Sequence, residues 1–277
     1  MTSTSRSALS LEVQQDDAVR RRRSIAWSVE WRGWFADAGA GWLLPFVLLG
    51  CWEIAARLGL LAETILPAPS AVFLAAWGLI LKGELFVHIG VSGARALAGF
   101  AIGGLIGFGL GLTNGLSATS RKFTDTTLQM IRNIPHLALV PLVIIWFGID
   151  EEAKLFLVAL GVFFPIYVNT LLGILTVDPQ LIEMGRAYGM SNITLFRRIL
   201  LPGALPSIFV GVRYGLGIMW LTLIVAETIA ASSGLGYMAM QAREFLLVDV
   251  VVLAILIYAL LGKLADSVAR ALERRSL

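Results

Sequence analysis

The sequence is poor in the residues that build disulfides, metal sites and many catalytic centres. Its 277 residues include one cysteine, Cys51, and two histidines, His88 and His136. A single cysteine excludes an intramolecular disulfide, and no Cys-x-x-Cys or Cys/His cluster indicates a zinc or iron–sulfur site. The motif Gly-x-x-x-x-Gly-Lys-Ser/Thr, which cradles nucleotide phosphates, is missing too. We therefore predict that the chain is not an enzyme and binds no metal or cofactor itself.

Charged residues are scarce as well, at 15% of the chain against 57% hydrophobic residues. The mean hydropathy is +0.80, and a chain this apolar has too little polar surface to coat itself in water. The net charge of +3 does not indicate a nucleic-acid partner, because the arginines lie beside apolar runs and form no stripe with interleaved aromatic residues. The composition predicts a protein embedded in the lipid bilayer.

Six apolar stretches are long enough to cross a hydrocarbon core of roughly 30 Å as helices, which takes about 20 residues. They cover residues 42–60, 94–116, 128–148, 154–175, 207–230 and 248–269. The stretch 67–81 is too short and too interrupted to cross, so we predict an interfacial helix opened by Pro67 and Pro69. The predicted fold is an all-α membrane protein with six transmembrane helices.

Local patterns refine these spans. The second span has a glycine at every fourth position, a spacing that lets another helix approach closely. These glycines are Gly99, Gly103, Gly107 and Gly111. Pro135 and Pro141 predict a kinked third span, and Glu53 and Arg57 lie one helical turn apart in the first, so that each can neutralise the other. A glycine-rich connector, 232–237, joins the last two spans and is too polar for lipid.

The lysines and arginines of the short loops set the orientation, because the side rich in these residues faces the cytoplasm. They place both termini and the loop 177–205 in the cytoplasm. The predicted regions are a polar cytoplasmic tail (1–40), the first span with the interfacial helix (41–87), a transmembrane core (88–270) and a cytoplasmic C-terminal tail (271–277). The basic run 20–23 is interpreted as a cytosolic anchor, and the alternative is a twin-arginine export signal.

The large cytoplasmic loop carries the most specific pattern in the chain. Pro179 suits the first turn of a helix, and Gly189 suits the left-handed residue that ends it. Ser191 or Asn192 caps a second helix, which Pro202 closes. We expect this helix pair to expose apolar side chains that a soluble partner could bury. Those side chains are Leu195, Phe196, Ile199 and Leu200.

This loop resembles the coupling loop of ABC importer permeases, whose pattern is Glu-Ala-Ala, three residues, Gly, nine residues, Ile, one residue and Leu-Pro. Met184 and Gly185 replace the two alanines. In that family the loop docks in a groove of the ATPase subunit. The resemblance therefore assigns coupling to Glu183, Gly185, Ala187, Gly189, Leu195, Phe196, Ile199, Leu201 and Pro202. The alternative interpretation is a helix-turn-helix that only stabilises the loop.

From about residue 61 to residue 270 the chain is similar to permeases of the aliphatic sulfonate, taurine and nitrate branch, above all to those for aliphatic sulfonates. Stretches that carry the similarity are 65–70, 130–139, 146–150, 202–206, 217–227 and 258–264. The resemblance implies a type I ABC importer permease fold in the bacterial inner membrane. It also implies a homodimer of permeases, two ABC ATPases that use ATP and Mg²⁺, and an extracytoplasmic solute-binding protein. The implied cargo is an alkanesulfonate, with taurine, nitrate or another small anion as the alternative.

A charged sulfonate needs hydrogen-bond donors or positive potential at membrane depth. Candidate residues for its path are Arg95, Arg132, Asn133, His136, Asn169, Thr222 and Glu227. His136 is favoured because the adjacent proline kink exposes backbone polar groups. Glu227 would repel an anion and is interpreted as a gate salt bridge or a helix cap, while Arg95 and Arg132 could instead reach lipid headgroups. The rival classes are a secondary transporter or channel without an ATPase and an intramembrane enzyme, which would need paired acids or a metal cluster.

Overall fold

The computed structural model describes residues 43–276, and every regular element in that range is helical. The chain divides into two compact units, Met1–Ala62 and Glu63–Leu277. The helices are α1 (43–57), α2 (Pro69–Leu81), α3 (Glu84–Leu116), α4 (Ala118–Arg132), α5 (Val140–Phe147), α6 (Glu151–Leu175), α7 (Pro179–Ala187), α8 (Asn192–Leu195), α9 (Leu201–Ala230), α10 (Leu235–Glu244) and α11 (Val248–Ser276). A 3₁₀ turn, His136–Leu139, precedes α5, and a π turn, Phe196–Leu200, joins α8 to α9.

In the first unit, α1 accounts for most of the span predicted for residues 42–60. The Nε atom of Arg57 lies 2.6 Å from Oε1 of Glu53, so the predicted pairing of these two charges is confirmed. The predicted polar tail, residues 1–40, lies outside the described residues.

In the second unit, α6 packs against both α3 and α9. The glycines of α3 allow α3 and α6 to approach each other closely. A Cβ on Gly103 would overlap the backbone of Ala159, and one on Gly107 would lie 2.6 Å from the carbonyl oxygen of Phe163. The close helix approach predicted from the glycine spacing is confirmed, with α6 as the partner. Helix α3 begins at Glu84, earlier than the predicted start at residue 94.

A further apolar cluster joins α2, α10 and α11. Its buried members include Val72, Leu235, Met238 and Tyr258. Helix α2 has 13 residues with a proline in its first turn, which is too few to cross a bilayer. The short helix predicted for this stretch is therefore present.

The third predicted span is not a single kinked helix. Helix α4 and the helical segment His136–Phe147 meet at an angle of 79°, which is a break and not a kink. Pro135 is extended and precedes the 3₁₀ turn, because proline cannot continue the hydrogen bonding of the helix before it. Pro141 lies in the first turn of α5, where a missing N–H removes no helical hydrogen bond. The kink predicted at Pro141 was therefore wrong.

Four of the described helices are long and apolar enough to cross a membrane, and the bent pair would make a fifth. The four are α3, α6, the continuous helix Asn192–Ile229 and α11. The all-α membrane fold is thus confirmed, and α1 is the described part of the remaining predicted span.

Candidate functional site

The segment between α6 and α9 folds into the predicted pair of short helices, α7 and α8. Asp178 caps α7, because its Oδ1 atom accepts a backbone N–H at 2.8 Å, and Pro179 lies in the first turn. Gly189 follows α7 with a φ of +72°, a left-handed conformation that glycine adopts without steric cost. Of the two predicted caps for α8, the hydroxyl of Ser191 accepts the backbone N–H three residues later at 3.3 Å.

Gly185 lets these two short helices pack together. A Cβ at this position would lie 2.6 Å from Cδ1 of Leu195 and 2.9 Å from Cδ1 of Ile199. Even alanine, the residue of the family pattern, would force these side chains to shift. Gly185 in place of the family's alanine therefore allows α7 to pack more closely against Leu195 and Ile199 than an alanine would.

The apolar surface of this segment is not formed by the residues that the sequence indicated. Leu195 is 4% exposed, Leu200 is also buried, and Phe196 and Ile199 are half-buried. The exposed apolar side chains are Leu181, Met184, Tyr188 and Ile193, here called the α7–α8 surface. The first three recur at positions i, i+3 and i+7, which is the spacing of one helix face. This signal was present in the sequence and was missed.

Pro202 does not close α8. Helix α8, the π turn and α9 run as one helix, Asn192–Ile229, of 38 residues. The π turn ends at Leu200, two positions before Pro202. Its wider ring of hydrogen bonds accommodates a residue that lacks an N–H and crowds the preceding turn. Among the remaining predicted coupling residues, Glu183, Ala187, Gly189 and Pro202 are exposed and Leu201 is half-buried.

Three residues predicted for the transport path meet in a cleft of about 330 Å³ between the broken α4–α5 segment, α6 and α9. Arg132, His136 and Asn169 contribute its polar atoms, and Tyr214 is a further wall residue. Arg132 is exposed, and no carboxylate lies within ion-pair distance of it among the described residues. Its positive charge therefore remains available to an anion. Asn133 lies next to Arg132 but does not line the cleft.

The imidazole ring of His136 contacts a buried side chain of α9 that does not line the cleft. Its Nε2 atom lies 3.1 Å from Oγ1 of Thr222, which is fully buried. Gly161 provides the space for this contact, because a Cβ there would lie 2.9 Å from Oγ1 of Thr222. Thr222 therefore contacts a residue that lines the cleft, His136, but does not line the cleft itself.

Arg95 and Glu227 lie elsewhere, in a buried charge cluster at the junction of α3, α6 and α9. Nη1 of Arg95 lies 2.8 Å from Oε1 of Glu227, whose side chain is 0% exposed. Glu151 receives two hydrogen bonds of 2.6 Å from the same guanidinium group and pairs with Lys154 at 3.0 Å. Two positive and two negative side chains therefore meet here, so Arg95 is directed at carboxylates and not at lipid headgroups.

Glu227 also receives hydrogen bonds from uncharged donors. Ser92 Oγ lies 2.8 Å from both carboxylate oxygens, and the hydroxyl of Tyr258 donates at 2.9 Å. The backbone N–H of Gly236, in the first turn of α10, donates at 2.9 Å. The carboxylate is thus both an ion-pair partner and a helix cap, the two arrangements expected for it from the sequence.

Comparison with known proteins identifies the class of this chain. Residues 99–277 match the family described as the binding-protein-dependent transport system inner membrane component. The chain belongs to this family. The permease is 60% identical over 235 residues to a protein of Escherichia coli (strain K12) named as the aliphatic sulfonates transport permease SsuC, which covers 85% of this chain and 89% of that protein.

Other relatives agree with this assignment. The permease is 45% identical to the protein of the same name in Bacillus subtilis (strain 168), over 86% of each chain. Its fold matches a solved amino acid ABC transporter with a TM-score of 0.59 at 18% identity, over 72% of this chain and 97% of that one. As a permease component of ABC importers, it leaves ATP hydrolysis to separate ATPase subunits.

Five polar residues in or beside the buried cluster of this permease were not predicted: Glu151 and Lys154 of α6, and three residues of α3 and α11. His88 and Ser92 lie on α3 and Tyr258 on α11. A signal existed for the first two, because His88, Ser92 and Arg95 are spaced i, i+4 and i+7 in an otherwise apolar helix. Nothing in the local sequence marked Tyr258, since its partner Glu227 is 31 positions away.

Proposed function

We propose that this permease imports aliphatic sulfonates that a solute-binding protein delivers, with energy from two ABC ATPases bound to a pair of permeases. The observation that carries the proposal is the 60% identity over 85% of the chain to a relative named for aliphatic sulfonates. Identity falls to 37% for a relative named for taurine transport and to 28% for one named for nitrate import. This decrease in sequence identity favours aliphatic sulfonates as the cargo.

Growth on a single sulfur source tests the cargo. A strain in which this gene is deleted should fail to grow on alkanesulfonates of several chain lengths and should grow normally on sulfate. Expression of the full-length permease from a plasmid should restore growth. Normal growth of the deletion strain on every alkanesulfonate, with a defect on taurine or nitrate instead, would contradict the proposed cargo.

The α7–α8 surface is the proposed contact with the ATPase. Four exposed apolar side chains on one short segment are unusual for a surface that faces water, and burial against a protein partner would remove them from it. The positive-inside bias supports a cytoplasmic position for this segment and for both termini. Each permease of the pair would then present one such surface to one ATPase.

The cleft lined by Arg132, His136 and Asn169 is the proposed cargo contact within the permease. Its unpaired guanidinium group suits the oxygens of a sulfonate, which accept charge-assisted hydrogen bonds. The Asn169 amide group donates one of its hydrogens to the carbonyl oxygen of Pro165 at 2.8 Å, so its second hydrogen would serve the cargo. Arg95 and Glu227 are left out of this contact, because both are buried and paired with each other. The cargo path would pass the break between α4 and α5.

Removal of the Arg132 charge tests this contact. Arg132→Gln should raise the KM for alkanesulfonate uptake by about tenfold, as expected for the loss of one hydrogen bond to a charged group. Arg121→Gln is the matched control, because Arg121 lies on the same helix and outside the cleft. Equal KM values for the two variants would exclude Arg132 from the path.

A further inference from the structure

Residues 231–234 join α9 to α10, and this connector and the first turn of α10 are held by side chains from distant parts of the chain. Three successive backbone N–H groups each donate to a different side chain. Gly234 donates to Nδ1 of His88 at 3.1 Å, and Leu235 donates to Oγ of Ser92 at 2.8 Å. The third, from Gly236, goes to Glu227. The N-terminus of α10 is therefore capped by α3 and α9, since Gly234 has no side chain with which to cap it.

The same connector is fixed on its N-terminal side by Arg95. Nη1 of Arg95 donates to the carbonyl oxygen of Ser233 at 2.5 Å, while it also pairs with Glu227. Gly234 has a φ of +112°, and a Cβ there would lie 2.7 Å from Nη1 of Arg95. The connector thus follows the Arg95–Glu227 ion pair so closely that no side chain fits between them.

Glu227 lies near the end of the helix that begins at α8. The residues from Asn192 to Ile229 form one uninterrupted helix, and the distance along it from Asn192 to Glu227 is roughly 50 Å at about 1.5 Å per residue. A displacement of the α7–α8 segment can therefore reach Glu227 through a single helix. From Glu227 it can pass to the connector through the ion pair and the cap.

We infer that Glu227 is a positioning residue that links movement of α9 to the position of the connector 231–234 at the opposite side of the membrane. The inference rests on the proposed function, which supplies the ATP-driven movement at α7 and α8. Arg95 acts with Glu227, because it joins the carboxylate to the connector carbonyl. Glu227 touches no cargo in this arrangement, and its contribution is to keep the connector against α3 or to release it when α9 moves.

Thiol labelling of the connector tests the inference. Ser232 is exposed, so Ser232→Cys introduces a probe, and Cys51→Ala removes the native thiol. The complete transporter would be studied in right-side-out vesicles, with a membrane-impermeant maleimide outside and with ATP and vanadate either loaded or omitted. In the otherwise native chain, ATP and vanadate should change the labelling rate by about threefold or more, which is a modest population shift.

Glu227→Gln in this background removes the charge and keeps the shape of the side chain. Its labelling rate without ATP should rise by about tenfold, because a charge-assisted contact is lost, and ATP with vanadate should no longer change the rate. Asp266→Asn is the matched control. Asp266 pairs with Arg213 and Arg270 on other parts of α9 and α11, so its replacement should alter neither result.

Equal labelling of Glu227→Gln and the native chain would overturn the inference. If Glu227→Gln does not accumulate in membranes, Tyr258→Phe removes one donor to the carboxylate without removing a contact to the connector, and it should raise the rate by about twofold to fivefold. ATP hydrolysis is measured in the same vesicles. Intact hydrolysis without any change in labelling of the native chain contradicts the link to α9, whereas absence of hydrolysis contradicts the proposed function and with it the inference.

Discussion

The α7–α8 surface and the buried cluster around Arg95 and Glu227 use their side chains in opposite ways. At the α7–α8 surface, apolar side chains are exposed, with Tyr188 at 79%, and have no partner that would bury them within the described chain. In the cluster, the Glu227 carboxylate is fully buried and accepts hydrogen bonds from three other helices, α3, α10 and α11. The first region leaves its apolar side chains uncovered and is the proposed contact with the ATPase, whereas the charges of the second are paired within the described chain.

This difference predicts which property each substitution will change. Changes in the cluster should reduce the stability of the permease, because a buried charge without its partner is costly. Changes at the α7–α8 surface should leave stability unchanged and weaken the contact with the ATPase. Three substitutions, in order of decreasing expected effect on stability, test this difference between the two regions.

The largest effect is expected for Glu227→Ala. This change leaves the guanidinium group of Arg95 buried with one carboxylate fewer, and loss of one partner of a buried pair costs about 3–5 kcal/mol. Thermal unfolding of the purified permease in detergent measures the effect. Asp266→Asn should cost no more than about 1 kcal/mol, because Asp266 is partly exposed and such pairs contribute little. Equal unfolding temperatures for the two variants would show that the cluster does not hold the fold.

A smaller loss of stability is expected for Gly103→Ala. The added methyl group would overlap the backbone of Ala159 on α6, and overpacking of this kind costs about 1–3 kcal/mol. Gly109→Ala on the same helix is the control, because a Cβ there meets nothing within 4 Å. The same unfolding assay applies, and a stable Gly103→Ala variant would contradict the close packing of α3 on α6.

The smallest change in stability, with a clear change in function, is expected for Tyr188→Ala. Truncation of an anchoring aromatic residue should weaken ATPase binding by about 1–2 kcal/mol and should lower alkanesulfonate uptake, with unfolding unaffected. Phe123→Ala is the matched control, since Phe123 on α4 is also 79% exposed and lies outside the α7–α8 surface. Wild-type binding and uptake by Tyr188→Ala would remove that surface from the proposed coupling.

The sequence predicted the parts of this fold that depend on local chemistry. Hydrophobic length located most spans, the glycine spacing of α3 predicted its close contact, and Pro179, Gly189 and Ser191 predicted the ends of α7 and α8. Each of these signals acts within one helical turn or along one helix. The coupling pattern also led to the family, because its fixed positions lie within 20 residues of one another.

The predictions that failed depend on a local π turn or on contacts between different helices. Pro202 was expected to end a helix, but the π turn before it absorbs the missing hydrogen bond. Leu195 was expected on the surface, and Gly185 instead provides the space that buries it. Contact of Arg95 with lipid headgroups was one expectation, but Arg95 is buried and pairs with Glu227, which is 132 positions away. Periodicity within a helix cannot identify partners at such separations.

The most direct measurement is the protection of the α7–α8 surface by the ATPase subunit. Ala187→Cys in a Cys51→Ala permease places one thiol beside this surface, because Ala187 is exposed on α7. Maleimide labelling would be followed in inverted membrane vesicles with and without the ATPase. We expect the ATPase to slow labelling by at least about tenfold, since a residue in a protein interface is excluded from solvent. An unchanged rate in vesicles that contain the bound ATPase would contradict the proposed coupling.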